Sequence, residues 1–143
     1  MRTLDTFKEF SYNYYENCDK LRNEYERMFG IILASGHALK PYLYPLDAGI
    51  LLEDKNDNVI AGGFFNLSKH VYSILIHIIY VDEGHRQSGI YTKIHTLIDQ
   101  IGIEQGKNQI WSYIHAKNQI MLKHVIQKIG YEPVMQLVKR DIP

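Results

Sequence analysis

Apolar and polar positions follow two rhythms along this chain, and the change between them divides it. Up to about residue 29 the larger apolar residues recur at helical intervals. Phe7, Phe10, Tyr14, Leu21, Tyr25 and Met28 are spaced by three, four and seven, and Lys8, Glu9, Glu16, Lys20 and Glu24 fall mostly off that stripe. The spacing predicts a helix over residues 5–29 with an aromatic face on the core. Gly30 is placed to end it, and residues 31–35 would make a second short helix. Gly36, Pro41 and Pro45 turn the stretch up to Asp47 into an irregular segment that carries Tyr42 and Tyr44.

From residue 49 the pattern becomes β. An apolar run at 49–53, the polar turn Asp54-Lys55-Asn56-Asp57-Asn58 and a second run at 59–67 predict a hairpin. Gly62-Gly63 inside it signals a bulge or a close approach to the backbone. Ser68-Lys69-His70 turns the chain again, and 71–81, rich in Ile, Val and Tyr, is a buried third strand. Ile90, Ile94, Leu97, Ile98 and Ile101 then give a helix over 90–105, with Gly106 to stop it. Residues 109–115 form a strand parallel to 71–81, because a strand, helix and strand in sequence normally close that way. Asn118 starts another helix with Met121, Leu122, Val125, Ile126 and Ile129 on its apolar face and Gly130 at its end. A last strand over 133–140 alternates Val134, Gln136 and Val138. The fold class is α+β: a mixed, mostly antiparallel sheet flanked by helices, in one domain over 1–143.

Composition narrows the classes. The 143 residues are 45% hydrophobic and 22% charged, as in a soluble globular domain. Formal net charge is zero, so nucleic acid is not an expected partner. Cys18 is the one cysteine, which rules out an internal disulfide and a cysteine metal site. No run approaches the ~18 apolar residues of a membrane span, and the opening residues lack a signal-peptide core. A cytoplasmic protein is expected. His37, His70, His85, His95 and His124 have no metal-ligand spacing, so no metal is expected.

The candidate chemistry sits where strand 71–81 empties into helix 90–105 through Gly84-His85-Arg86-Gln87-Ser88-Gly89-Ile90-Tyr91. A strand that passes through a glycine-bearing turn into a helix aims several backbone N–H groups, and the positive end of the helix dipole, into one space. A phosphate-bearing ligand suits that space.

This order, with these motifs, resembles the GCN5-related N-acetyltransferases. The family's Q/R-x-x-G-x-G/A signature is matched by Arg86 and Gly89; Tyr91 stands in the slot usual for Gly or Ala, and Glu83 in that of Pro. Downstream, Asn118 and Gly130-Tyr131 resemble the family's N…G-[FY] segment, with a spacing one residue longer than usual. The resemblance covers roughly residues 49–141. The first 48 residues match nothing specific, and the edge strand with which the family usually opens is not visible in them; they would shape the substrate side.

The resemblance implies acetyl-CoA as the acetyl donor. Backbone N–H groups of Gln87, Ser88, Gly89 and Tyr91, in a turn completed by Arg86 and Ile90, would hold its pyrophosphate. Main-chain groups of Ile79 and Val81 would lie along pantetheine, with residues 111–115 as the splayed partner strand and an N–H near Ile79 steadying the oxyanion. Asn118 would bond the pantetheine arm or, equally, cap its helix. A small-molecule amine or a protein amino group would be the acceptor, by direct attack in a ternary complex. The edge strands are compatible with a homodimer.

An alkyl ammonium must lose a proton before it attacks a thioester. Strict alternation puts Leu75, His77, Ile79 and Val81 on one face, where many relatives carry a glutamate base. The polar residue there is His77, whose imidazole suits the task; Glu53 and His115 are weaker candidates. The family's general-acid tyrosine, four residues before G-[FY], is replaced by Ile126. Tyr113 or Tyr91 would have to substitute, or the leaving thiolate depart unaided. The missing tyrosine also admits a second reading: a domain that binds acyl-CoA or a partner protein without turnover.

Overall fold

A computed structural model describes residues 1–36, 46–86, 88–112 and 119–133. Six strands form one sheet in sequence order: β1 (Arg2–Phe7), β2 (Phe10–Glu16), β3 (Ala48–Glu53), β4 (Val59–Asn66), β5 (Ser73–Val81) and β6 (Gln109–Ser112). The first five pair antiparallel and β6 pairs parallel with β5. Helices α1 (Asp19–Ala34), α2 (Ile90–Glu104) and α3 (Gln119–His124) complete the order. The mixed, mostly antiparallel sheet flanked by helices is the architecture expected from the hydrophobic pattern.

The first 29 residues depart from that pattern. The helix expected over 5–29 is a hairpin followed by a helix, and β1 is the edge strand that the sequence did not reveal. Phe10, Tyr12 and Tyr14 turn one way and Ser11, Asn13 and Tyr15 the other, a period of two that aromatic residues favour in strands. Intervals of four serve either period, which is why the stripe misled. Positive φ at Lys8 (55°) and Asn17 (43°) marks the two breaks. Gly30 does not end α1; Ile31, Ile32 and Leu33 carry the helix on, so the separate helix expected at 31–35 is part of it.

The sheet is covered on both faces. On one, Ile90, Ile94, Leu97, Ile98 and Ile101 of α2 pack on Ile50, Leu52, Phe65, Ile74, Ile76 and Val81. On the other, Leu21, Tyr25, Met28 and Phe29 of α1 pack on Leu51, Val59 and Phe64. Glycine sets the spacing on the α2 side: a Cβ on Gly63 would lie 2.5 Å from Ile94 Cγ2. The Gly-Gly signal was therefore a close approach of a helix. The expected end of α2 holds, with Gly106 at φ 72°. The strand expected over 133–140 lies outside the described residues beyond Pro133.

Candidate functional site

At the end of β5 the Asp82 N–H donates to Ile60 O at 2.8 Å. A 3-10 turn, Glu83–His85, follows. Arg86 folds back, donating from Nε to Val81 O at 2.9 Å with its guanidinium 5.4 Å from the Tyr80 ring centroid. Arg86 thus pins the turn to the strand. Ser88 Oγ donates to His85 O at 2.5 Å. Gly89 then takes φ 83°, and α2 starts at Ile90. A Cβ at Gly89 would meet no atom within 4 Å, so it is the left-handed backbone, not crowding, that requires glycine here.

The first-turn N–H groups of α2 are the donors that the turn offers. No described side chain caps them, no acidic residue sits in the first turn, and the first helical bond is Lys93 N to Gly89 O at 3.0 Å. Such donors are normally satisfied by a cap, by water or by an anion. Tyr91 does not crowd the space. Its side chain turns into the packing between helices, with ring centroids 5.8 Å from His95 and 5.5 Å from His124. Burial there pushes its hydroxyl pKa up to about 12. Gln87 and Asn118 lie outside the described residues.

Main-chain direction along β5 follows from the pairing. Asp82 bonds toward β4, and Tyr80↔Gly62 and Ile78↔Phe64 stand in the same register, so the N–H and C=O of Ile79 and Val81 point the other way. The described pairing with β6 ends at Ile76↔Ser112. Ile79 and Val81 therefore present backbone groups beyond it, Val81 O being taken by Arg86.

The face expected for His77 is corrected. Phe65 pairs with Ile76 and Phe64 with Ile78, so His77 is the extra residue of a β-bulge. The bulge resets the alternation: Ile74, Ile76, Ile79 and Val81 pack on the α2 side, while Ile78 and Tyr80 pack with α1. His77 meets α1 as well, with Nδ1 3.4 Å from the Tyr25 hydroxyl. It does not share a face with Ile79 and Val81. Burial lowers its pKa below the usual imidazole value, and the charge of Asp47 works the other way.

Glu53, the weaker base candidate, is a buried structural carboxylate. It accepts from Asn13 Nδ2 at 3.1 Å, from the Tyr15 hydroxyl and from Lys20 Nζ. Burial alone would raise its pKa, but Lys20, Tyr15 and Asn13 outweigh it and hold the carboxyl below the ordinary range. The other named candidates, Tyr113 and His115, lie outside the described residues.

The missing tyrosine has a structural context. After α3 the chain makes a π-helical turn, Val125–Ile129, closed by Gly130 at φ 95° with Gly130 N and Tyr131 N both donating to Val125 O. A π-turn holds one more residue than an α-turn, which accounts for the long spacing between Asn118 and Gly130. Counted back from Gly130 the tyrosine slot is Ile126; allowing for the extra residue it is Val125, so the slot is aliphatic on either count.

Sequence reasoning passed over three features: the contact of Tyr25 with His77, the Glu53 cluster and buried His95. His95 Nε2 lies 3.2 Å from the Tyr131 hydroxyl, and burial, with the charge of His124, lowers its pKa to about 4. A cavity of about 460 Å³ lies beside His95, Asp99, Lys107 and Tyr131, and no described residue of the Arg86–Tyr91 turn lines it. Among the described residues no three His, Cys, Asp or Glu side chains group as metal ligands, and no helix is long and apolar enough to cross a membrane.

The sequence matches no family model and no curated protein. Solved structures match it over nearly its whole length. An aminoglycoside acetyltransferase from an uncultured soil metagenomic sample, in complex with sisomicin, is 14% identical with a TM-score of 0.68, over 94% of this chain and 98% of that one. The aminoglycoside N-acetyltransferase AAC(6')-Iy in complex with CoA is 14% identical with a TM-score of 0.62, over 92% and 94%. The same enzyme with a bisubstrate analog, CoA-S-monomethyl-acetylneamine, is 15% identical with a TM-score of 0.61, over 92% and 98%. What this chain shares with them is the fold.

Proposed function

We propose, for a chain that has the fold of the GCN5-related N-acetyltransferases, that it transfers an acetyl group from acetyl-CoA to a primary amine. The observation that carries the reading is the start of α2: first-turn N–H groups without a described cap, behind a glycine at φ 83°, at the end of the strand whose outward backbone groups lie beyond the described pairing with β6. A pyrophosphate satisfies those donors, and the helix dipole favours its charge. Ser88, Gly89, Ile90 and Tyr91 contribute backbone, with Gln87 in the same turn, and Arg86 holds the turn on β5. The main chain of Ile79 and Val81 guides the pantetheine arm, and Asn118 bonds it. Acetyl-CoA supplies the activated acyl group. His77, on the α1 side of the bulge, takes the proton of the attacking amine; the C–N bond forms, the C–S bond breaks, and its electron pair leaves on sulfur. The Ile79 N–H faces the acyl oxygen. The acceptor is a small molecule or a protein amino group, and residues 1–48 shape its side of the site.

The test incubates pure protein with acetyl-CoA and a panel of amines and reads free thiol. Amine-dependent thiol release, lost in His77→Gln, is the expected result. The aliphatic tyrosine slot, Val125 or Ile126, favours a second reading, an acyl-CoA-binding module without turnover. That reading expects a thermal shift with CoA and no thiol release. No thermal shift with CoA sinks both.

A further inference from the structure

We infer that Arg27 of α1 is a positioning residue for the turn between β5 and α2: it holds the Asp82 end of that turn against β4, so that the N–H groups at the start of α2 are already aimed when the pyrophosphate of CoA arrives. The inference rests on the reading of that turn as the cofactor site. Nη1 of Arg27 lies 3.5 Å from Asp82 Oδ1, and Nη2 donates to Val59 O at 3.1 Å. The next carbonyl of β4, Ile60 O, accepts from Asp82 N at 2.8 Å. These three contacts close a ring of α1, β4 and the turn. Glu24, one helical turn earlier on α1, accepts from Nε at 2.9 Å and aims the guanidinium into the ring.

The other side-chain bonds of the turn have a different effect. Arg86 Nε returns to Val81 O on the strand that the turn leaves, and Ser88 Oγ bonds His85 O inside the turn. They fix its internal shape. Among the described residues, the ion pair of Asp82 with Arg27 is what ties a charged side chain of the turn to another element. A further contact is apolar: His85 meets Phe10 of β2 edge to face, with 6.0 Å between ring centroids. An anion site made of backbone N–H groups gains affinity when those groups are fixed in advance, because ordering them on binding offsets part of the free energy gained. A guanidinium suits the task, since its planar fork reaches several acceptors at once. The side chains of Arg27 and Asp82 are 41% and 32% exposed, so the pair contributes little to global stability. Its effect falls on the position of the turn.

Calorimetric titration with CoA tests this. Arg27→Met should bind CoA about fivefold more weakly, with a melting temperature in the absence of CoA close to that of the wild type. Asp82→Asn separates position from charge. It removes a negative charge beside an anion site, so an effect of charge alone would strengthen CoA binding. Loss of the ring should weaken binding instead, and the double variant should bind no more weakly than Arg27→Met. Where Arg27→Met does not fold, Asp82→Asn carries the test, because it keeps the bonds of Arg27 to Val59 and Glu24. Lys20→Met, which loosens α1 at its first turn, should keep the wild-type affinity. Wild-type affinity in Arg27→Met, tighter binding in Asp82→Asn, or an equal loss in Lys20→Met overturns the inference and leaves the cofactor reading standing. No binding of CoA by the wild-type protein overturns both.

Discussion

Gly89 and His95 are the single residues whose physical demands reach furthest. At φ 83° an L side chain costs about 1 kcal/mol. Gly89→Ala should therefore lower stability by about that much and weaken CoA binding, read as a smaller thermal shift. His95 acts on stability through protons. Its folded pKa lies at about 4 and an unfolded histidine titrates near 6.5. Between those values the unfolded chain binds a proton that the folded chain does not, so stability falls as pH drops from about 6.5 toward 4, by up to roughly 1.4 kcal/mol per pH unit. Urea midpoints near pH 7 and pH 5 should converge in His95→Phe relative to the wild type. The same direction of shift at His77 keeps that imidazole neutral below the usual value, so the acid limb of kcat/KM should lie below about 6.5.

Among elements, α2 was the most legible and the first hairpin the least. All five apolar positions that predicted α2 are buried, because a stripe of isoleucine and leucine at helical spacing has one way to leave water. Phe10–Glu16 carried an equally real alternation, hidden by a helical stripe running through the same aromatics. Glycines show how far an element's neighbours matter. Gly63→Ala drives a methyl into Ile94 and should cost about 1–3 kcal/mol. Gly30→Ala sits inside α1 with nothing within 4 Å and should add roughly 0.5–1 kcal/mol. Paired denaturant titrations of the two variants, with opposite signs expected, check both assignments at once.

Across the whole molecule, the sheet carries different chemistry on its two faces. The α2 face carries the turn that ends in Gly89 and the uncapped start of α2, and the α1 face carries His77, Tyr25 and the Glu53 cluster. Glu53 ties β2, β3 and α1 together through partners 40, 38 and 33 residues away in sequence. Lys20→Met should cost about 2 kcal/mol near neutral pH, less than a fully buried pair because Lys20 is partly exposed. Because the folded pKa of Glu53 is lowered, that contribution is present above the ordinary carboxylate range and is lost as pH falls through the folded value. The cost of Lys20→Met should accordingly fade in acid, which chemical denaturation across pH would show.

The amino-acid sequence by itself determined the order of β3 to β6, the extent of α2 and the glycine-bearing turn ahead of it. Each is written in local periodicity, or in a glycine that local backbone geometry demands. Tertiary structure decided what depends on distant partners. It showed that residues 2–16 are an edge hairpin, because only pairing with β3 distinguishes the two periods their aromatics satisfy. It moved His77 across the sheet through a bulge that is visible only in the register with Phe64 and Phe65. It placed Tyr25, 52 residues earlier in the chain, against the imidazole. Side-chain spacing within one strand holds no information about the register of its neighbour, so the face of the residue proposed as base could be known only once the sheet was assembled.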